Sequence, residues 1–213
     1  MYELVIGKRY FSFYFEIFMA IEQTLAIIKP DGVQRGLVGD ILHRFERAGL
    51  KVVGMKMVWA DKELVGKHYE DDADYLKSVG QKALEAAAAR GKTMKETALE
   101  IGQRVRKSNM RYISVGPVVA FVLQGNTAVQ TVRNIIGGTN PLTADIGTIR
   151  GDLTIDDFTQ ADMEKRSVRN LMHASGTVDE AQREIPLWFS KKELHDYQNV
   201  MDKVLHDPNW DAE

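Results

Sequence analysis

Cysteine is absent from the 213 residues of this chain. The chain can therefore form no disulfide framework, thiolate metal site or thiol nucleophile, and this composition fits a reducing cytoplasm. A strong charge of either sign is also lacking, because the formal net charge is −2. Bulk charge thus predicts no specific attraction to nucleic acid or to an acidic membrane, and any bound phosphate must be held by locally placed cations. No stretch is long and apolar enough to span a bilayer. We expect a cytoplasmic protein.

The first eighteen residues differ in composition from the rest. Lys8 and Arg9 precede an aromatic run over 10–18, which Glu16 interrupts. Three interpretations remain open: a secretory signal or anchor, an ordered oligomer contact, or a translation start set too far upstream, with Met19 as the true first residue. The length and the 44% of hydrophobic residues suit one domain with an insertion. We therefore expect an N-terminal extension over 1–18 and a single domain over 19–213.

From Thr24 onward the sequence alternates between strand and helix patterns. Short apolar runs predict strands, and amphipathic stretches that end at glycine predict helices. The predicted strands cover 25–28, 50–59, 117–123 and 169–172, and the predicted helices cover 39–49, 61–69 and 127–136. The order is strand, helix, strand, repeated once. It favours an α+β, ferredoxin-like βαββαβ sandwich, with an antiparallel four-stranded sheet and helices on one face.

An insertion at about 72–110 interrupts this scheme. Tyr75 to Arg90 is alanine-rich and helical in pattern, and Gly91 can end that helix. Thr93 and Glu96 have the spacing of a capping box for a second helix. The insertion should therefore be a helical hairpin laid against the domain. Two roles remain open for it, namely additional core and surface, or a lid that contacts a ligand.

His173 is the principal candidate for chemistry, since it lies where an extended apolar run gives way to a glycine-bearing turn. At neutral pH an imidazole can be a nucleophile through one nitrogen and a hydrogen-bond donor through the other. Thr177 and Glu180 form a capping-box pattern, so a helix should start one turn later. Glu184 lies on the flank of that helix and should be half-buried. Its carboxylate could fix the tautomer of the histidine, although a solvated surface glutamate is the alternative.

Phosphate binding would require cations, and the candidates are Lys29, Arg133 and Arg150. Lys29 follows the first strand, and Arg133 lies near the end of a helix. Arg150 sits between Gly147 and Gly151, where the backbone could approach a phosphate while the guanidinium grips two oxygens. Each could instead be an ordinary surface charge. Capping or surface roles are expected for the remaining histidines, which are His43, His68, His195 and His206.

Four segments together resemble the nucleoside diphosphate kinase family: Lys-Pro-Asp-Gly-Val-Gln-Arg-Gly over 29–36, Gly-Pro-Val-Val-Ala over 116–120, Gly-Thr-Ile-Arg-Gly-Asp over 147–152 and Asn-Leu-Met-His-Ala-Ser over 170–175. The resemblance implies a ping-pong exchange. A nucleoside triphosphate would phosphorylate His173, and the phosphohistidine would pass the group to a nucleoside diphosphate. Magnesium would be held by nucleotide phosphates and water, with no protein metal site. The resemblance also implies a homo-oligomer, either a hexamer or a tetramer.

The same resemblance assigns roles to individual residues. Glu184 would orient His173. Lys29 and Tyr69 would lie beside the transferred phosphate. The diphosphate would be held by Arg133, Thr139 and Arg150, and the sugar hydroxyls would contact Asn170 and Lys29.

Some positions depart from the family pattern. Gly176 stands where an aspartate is usual, so a negative charge beside the site is lost. The insertion replaces the usual aromatic platform for the base, and Ile146 replaces a proline in a loop that makes subunit contacts. Candidate substitutes for the platform are Tyr75, Leu76, Met110 and Tyr112. Alternative functions are a nucleotide-binding regulator without turnover and a relay of phosphate from His173 to another protein.

Overall fold

The structure is a computed structural model that describes residues 21–207 and 209–211. The expectations for residues 1–18 lie outside this part of the chain. The strands are β1 (Ile21–Ile28), β2 (Lys51–Val58), β3 (Val118–Asn126) and β4 (Met172–Ala174). The helices are α1 (Pro30–Gln34), α2 (Val38–Arg47), α3 (Lys62–His68), α4 (Ala73–Ala89), α5 (Ala98–Ile113), α6 (Ala128–Ile136), α7 (Ile149–Leu153), α8 (Phe158–Met163), α9 (Val178–Trp188) and α10 (Val200–His206). None of these helices is both long and apolar enough to cross a membrane.

The four strands form one sheet in the order β2-β3-β1-β4. Every neighbouring pair is antiparallel, and Ile27 of β1 pairs with both Ala120 of β3 and His173 of β4. Strands β1 and β3 lie in the centre because they carry the longest fully buried apolar runs. The observed order and directions confirm the predicted ferredoxin-like βαββαβ fold.

The prediction that helices cover only one face of the sheet is wrong. Alternate residues of the central strands point to opposite faces, so Leu25 and Ile27 lie in one core cluster while Ala26 and Ile28 lie in another. Helices α2, α6 and α7 pack on the second cluster, and α3, α9 and the end of α5 pack on the first. The continuous apolar runs of β1 and β3 are typical of strands buried on both faces.

The predicted helical hairpin is present as α4 and α5. Glycines allow these helices to touch, since an added Cβ at Gly80 would lie 1.7 Å from the carbonyl oxygen of Ala98. At Gly102 the corresponding distance to the Leu76 carbonyl oxygen is 1.9 Å. The capping box that starts α5 is Thr97 with Glu100, not the predicted Thr93 with Glu96. Both pairs have the same spacing, but only Thr97 with Glu100 directly precedes the apolar face of the helix.

Two polar contacts tie the hairpin to the segment that precedes β4. At the hairpin tip, Arg90 and Lys92 each approach the Asp162 carboxylate of α8 at 3.4 Å. Near the other end of α5, the hydroxyls of Ser108 and Ser167 are 2.7 Å apart. The hairpin is therefore held at both ends against the body of the domain.

Candidate active site

The chain before His173 makes a tight turn at Leu171. The strand predicted over 169–172 is instead the shorter β4, with His173 as its middle residue. Leu171 has a φ of +66°, and the amide of Met172 donates to the carbonyl of Asn170 at 2.7 Å, as in a γ-turn. A left-handed residue other than glycine costs about 1–3 kcal/mol. Two hydrogen bonds support it: Asp31 accepts from the Leu171 amide at 3.1 Å, and the Lys29 amide donates to the Leu171 carbonyl at 2.7 Å.

His173 is held from behind by Glu184. Its Nε2 lies 3.1 Å from Oε2 of Glu184, and the Ser175 hydroxyl donates to the same oxygen at 2.6 Å. Burial raises the pKa of Glu184, but the two nearby imidazoles and the Ser175 hydroxyl outweigh burial and lower it to about 2. The carboxylate is thus ionised at neutral pH, and it accepts a hydrogen bond from the N–H at Nε2 of His173. This tautomer leaves the lone pair on Nδ1 of His173.

Glu184 is only 3% exposed, so the expectation of a half-buried carboxylate was wrong. The helical pattern placed it correctly on the flank of α9, but β4 and α3 close over that flank. Ser175 was not predicted to take part. It could have been found, because residues 173 and 175 of an extended segment point to the same side.

His68 was expected to have a capping or surface role, but the structure buries it. It is 1% exposed, and its ring packs edge-on to that of His173 with centroids 4.4 Å apart. Burial, and then the positive charge that His173 can carry, lower the pKa of His68 to about 3, so His68 is neutral at neutral pH. Its Nδ1 lies 3.6 Å from Oε1 of Glu184. That nitrogen accepts a hydrogen bond from the indole of Trp188 at 3.3 Å. The three-residue spacing between Val65 and His68 on one buried helix face is a signal that could have revealed this position.

Lys29 and Asn170 lie together in front of the γ-turn. Nζ of Lys29 donates to Oδ1 of Asn170 at 2.7 Å, and Nδ2 of Asn170 donates to the carbonyl of Thr139 at 2.9 Å. Burial, followed by the charge of Arg150, lowers the pKa of Lys29 to about 7. Three predicted nucleotide-binding residues are therefore connected, and one of them can gain or lose a proton near neutral pH.

The guanidinium of Arg150 bonds to the backbone. Its three nitrogens donate to the backbone carbonyls of Asn170, Gly137 and Met172 at 2.7–3.0 Å. Gly137 adopts a φ of +85°, which turns its carbonyl toward the arginine. The guanidinium is thus mainly a brace for the chain on either side of Leu171. Two of its five N–H groups are left over for a ligand.

Arg133 and Tyr69, two further predicted site residues, have different environments. Arg133 is exposed on α6, and its charge is close enough to help lower the pKa of the buried Arg150. Tyr69 packs edge-on against His68 at 4.7 Å between centroids, and burial raises the pKa of its hydroxyl. Arg133 therefore lies near Arg150, and Tyr69 packs on the histidine that contacts His173.

The possible substitutes for a base platform do not share one environment. Tyr112 is buried, with Nζ of Lys29 5.1 Å and the guanidinium of Arg169 4.5 Å from its ring centroid. The ring therefore packs against Lys29 and Arg169 and is too buried for a base to stack on it. Leu76 is also buried, whereas Tyr75 and Met110 are partly exposed.

Glu180 fills the space beside Gly176. Its carboxylate accepts from the Gly176 amide at 2.6 Å, while Thr177 caps the amide of Glu180 at 3.1 Å. The predicted capping box is therefore only half formed, because the glutamate bonds one residue earlier than expected. A carboxylate thus still lies beside the turn that follows β4.

These groups can perform phosphoryl transfer. A nitrogen lone pair is fixed on one side of β4, and a basic region lies beside it, which suits a reaction that needs positioning and charge neutralisation. The carboxylates next to β4 are already engaged, since Glu184 is bonded to His173 and Ser175 and Glu180 to the Gly176 amide. Since Mg²⁺ prefers oxygen ligands, this donor set fits an ion that arrives on the phosphates of a nucleotide.

Comparison with known proteins gives a consistent result. The model of the family described as nucleoside diphosphate kinase matches residues 22–79 and 98–194, so the interruption covers 80–97. A nucleoside diphosphate kinase of Pyrobaculum aerophilum is 45% identical over 181 residues, covering 83% of this chain and 99% of the relative. One from Borreliella burgdorferi is 37% identical, covering 84% of this chain and 94% of the relative.

Solved structures that resemble this chain belong to proteins of the same name. The crystal structure of an NDP kinase from Pyrobaculum aerophilum has a TM-score of 0.78 and 42% identity, covering 83% of this chain and all (100%) of the other. A transition-state mimic of the nucleoside-diphosphate kinase from Borrelia burgdorferi, with bound vanadate and ADP, has a TM-score of 0.72 and 35% identity. It covers 87% of this chain and 97% of the other.

Proposed function

This chain belongs to the nucleoside diphosphate kinase family, a family of phosphotransferases, and we propose that it transfers the terminal phosphoryl group of a nucleoside triphosphate through His173. The observation that carries this proposal is the bond between Nε2 of His173 and the ionised Glu184, which leaves Nδ1 unprotonated. The group would then pass to a nucleoside diphosphate in a second half-reaction.

In the first half-reaction Nδ1 attacks the γ-phosphorus of the triphosphate. A nitrogen–phosphorus bond forms, the bond from phosphorus to the β,γ-bridging oxygen breaks, and the nucleoside diphosphate leaves. The proton on Nε2 stays in its bond to Glu184, so the carboxylate compensates the positive charge that develops on the ring. The second half-reaction reverses these steps with another diphosphate.

Lys29, Arg133, Thr139, Arg150 and Asn170 would hold the nucleotide. Lys29 and Arg150 bring positive charge next to the γ-turn, and Arg133 adds charge at the exposed side. Asn170 and Lys29 would reach sugar hydroxyls, and Tyr69 would border the transferred group. Mg²⁺ would be bound by the nucleotide's phosphates, where it neutralises their charge.

We also propose a homo-oligomer. Strand β2 is at the edge of the sheet, and its Met55 and Met57 are 54% and 62% exposed, while Trp59, directly after the strand, is 65% exposed. His195 and Tyr197 bond to the carbonyls of Val53 and Val52 in the first half of the strand, and the exposed apolar side chains lie along the second half. Exposed apolar side chains beside a sheet edge are typical of a protein interface. Measurement of mass in solution should give a tetramer or hexamer for the wild type and smaller species for Met57→Lys. A monomeric wild type would contradict the proposal.

The proposed exchange is tested by separating its two halves. The protein is incubated with a triphosphate labelled at the γ-phosphorus, freed of nucleotide, and then given a diphosphate with a different base. We expect label on the protein, followed by complete transfer to the second nucleotide. Label that stays on the protein would favour a relay to another protein, and absence of labelling would favour a binding protein. Either result would overturn the kinase proposal.

A further inference from the structure

Helix α3 ends without the usual means of satisfying its last carbonyl groups. Its final residue is His68, and Tyr69 leaves the helix in an extended conformation. The residues that follow are Glu70 and Asp71, so the chain has no glycine or asparagine that could fold back in a left-handed cap. The carbonyls of this last turn need other partners.

Arg106 of α5, in the inserted hairpin, donates to one carbonyl of this last turn and to the two carbonyls that directly follow the helix. Its Nε donates to the carbonyls of Tyr69 at 2.9 Å and Glu70 at 3.1 Å, and Nη2 donates to that of Gly66 at 3.3 Å. A planar guanidinium can serve several acceptors at once, and a cation at the C-terminal end of a helix is favoured by the helix dipole. The side chain is 18% exposed, so water competes little for these bonds.

A second arginine, on α9, contacts the same end of α3. Arg183 of α9 pairs with Glu70 at 2.7 Å and donates weakly to the His68 carbonyl at 3.4 Å. It adjoins Glu184 in sequence, and its Nη2 lies 3.8 Å from that carboxylate. The end of α3 is thus gripped between the hairpin and the helix that carries Glu184.

We infer that Arg106 is a positioning residue, through which the hairpin holds Tyr69 against His68, and His68 against His173, in the orientation needed for phosphoryl transfer. This inference rests on the proposed function. The hairpin is suited to the task because the close contacts at Gly80 and Gly102 and the bond between Ser108 and Ser167 fix α5. Arg106 itself reaches no reacting atom and acts through the backbone of Tyr69.

The test compares Arg106→Met, which keeps the side-chain length, with Arg106→Lys, which keeps the charge without the fork. Arg104→Met is the matched control, because Arg104 lies on the same helix and pairs only with Glu96 among the described residues. In single-turnover phosphorylation of His173, Arg106→Met should be about tenfold to a hundredfold slower, as expected when catalytic groups are displaced by less than about 1 Å. Nucleotide affinity should change less than about twofold, Arg106→Lys should fall between, and Arg104→Met should match the wild type.

Tyr69→Phe completes a double-mutant cycle. If Arg106 acts through Tyr69, the loss in Arg106→Met should be much smaller in the Tyr69→Phe background. Full multiplication of the two losses would overturn the inference. So would a wild-type rate per folded molecule in Arg106→Met, with only a lower melting temperature. Failure of the wild type and Arg104→Met to be labelled would instead reject the proposed function.

Discussion

Replacing Glu184 by glutamine removes the charge behind His173 while nearly preserving shape. Burial alone would raise the pKa of this carboxyl, yet the imidazoles and Ser175 lower it from 4.5 to about 2. At about 1.36 kcal/mol per pKa unit, lowering the pKa from 4.5 to about 2 corresponds to roughly 3 kcal/mol of preference for the ionised form. Much of that free energy should stabilise the positive charge that develops on the His173 ring during transfer. Loss of about 3 kcal/mol slows a reaction by about a hundredfold.

We therefore expect Glu184→Gln to lower the rate constant of His173 phosphorylation by about a hundredfold, with nucleotide affinity nearly unchanged. The assay is single-turnover labelling at saturating triphosphate. Glu180→Gln is the control, because this residue lies one turn earlier on α9 and bonds to the Gly176 amide instead of the histidine. A Glu184→Gln enzyme within about twofold of the wild type would refute the reasoning that the carboxylate stabilises the attacking ring.

Three further predictions concern pH and packing. Since the pKa of Lys29 is lowered to about 7, diphosphate affinity should weaken above neutrality by at most about tenfold per pH unit. Calorimetry on the wild type and Lys29→Gln between about pH 6 and 9 should find that dependence only in the wild type; parallel curves would contradict it. Gly176→Asp should cost about 1 kcal/mol of unfolding free energy, because its Cβ would lie 2.8 Å from Oε2 of Glu180. Adding Glu180→Ala, which removes the obstructing carboxylate, should recover most of that loss in a denaturation titration. Gly102→Ala should destabilise the fold by about 1–3 kcal/mol by forcing α4 and α5 apart, whereas Gly39→Ala, with open space around it, should be neutral or slightly stabilising in thermal melts.

The sequence was sufficient to predict the fold class and the family, because short motifs and strand-helix alternation are local properties. Such motifs also predicted Lys29, Asn170 and His173 as site residues, and the side chains of Lys29 and Asn170 share a hydrogen bond. The residues that were misjudged depend on contacts between distant elements. His68 was assigned to the surface although its spacing from Val65 is that of one helix face, because the sequence does not show which elements pack on that face. The rings of Tyr69, His173 and Trp188 bury it.

Arg150 illustrates a second limit. Its flanking glycines correctly indicated a special backbone, and its charge suggested phosphate binding. The three carbonyls that receive its hydrogen bonds come from residues 137, 170 and 172, and their convergence depends on the left-handed conformation of Leu171. No propensity of leucine predicts that conformation, because tertiary hydrogen bonds impose it. Arg106 was missed for the same reason, since its acceptors are backbone atoms of another helix.

The most direct test of the account is to determine which nitrogen carries the phosphate. Phosphoenzyme prepared from a nucleoside triphosphate would be examined by phosphorus NMR, with His173→Gln and His68→Gln as comparisons. We predict phosphate on Nδ1 of His173, no phosphoenzyme in His173→Gln, and a labelled protein in His68→Gln. Phosphate on Nε2, or on any other residue while turnover persists in His173→Gln, would contradict the claim that Glu184 fixes the attacking nitrogen.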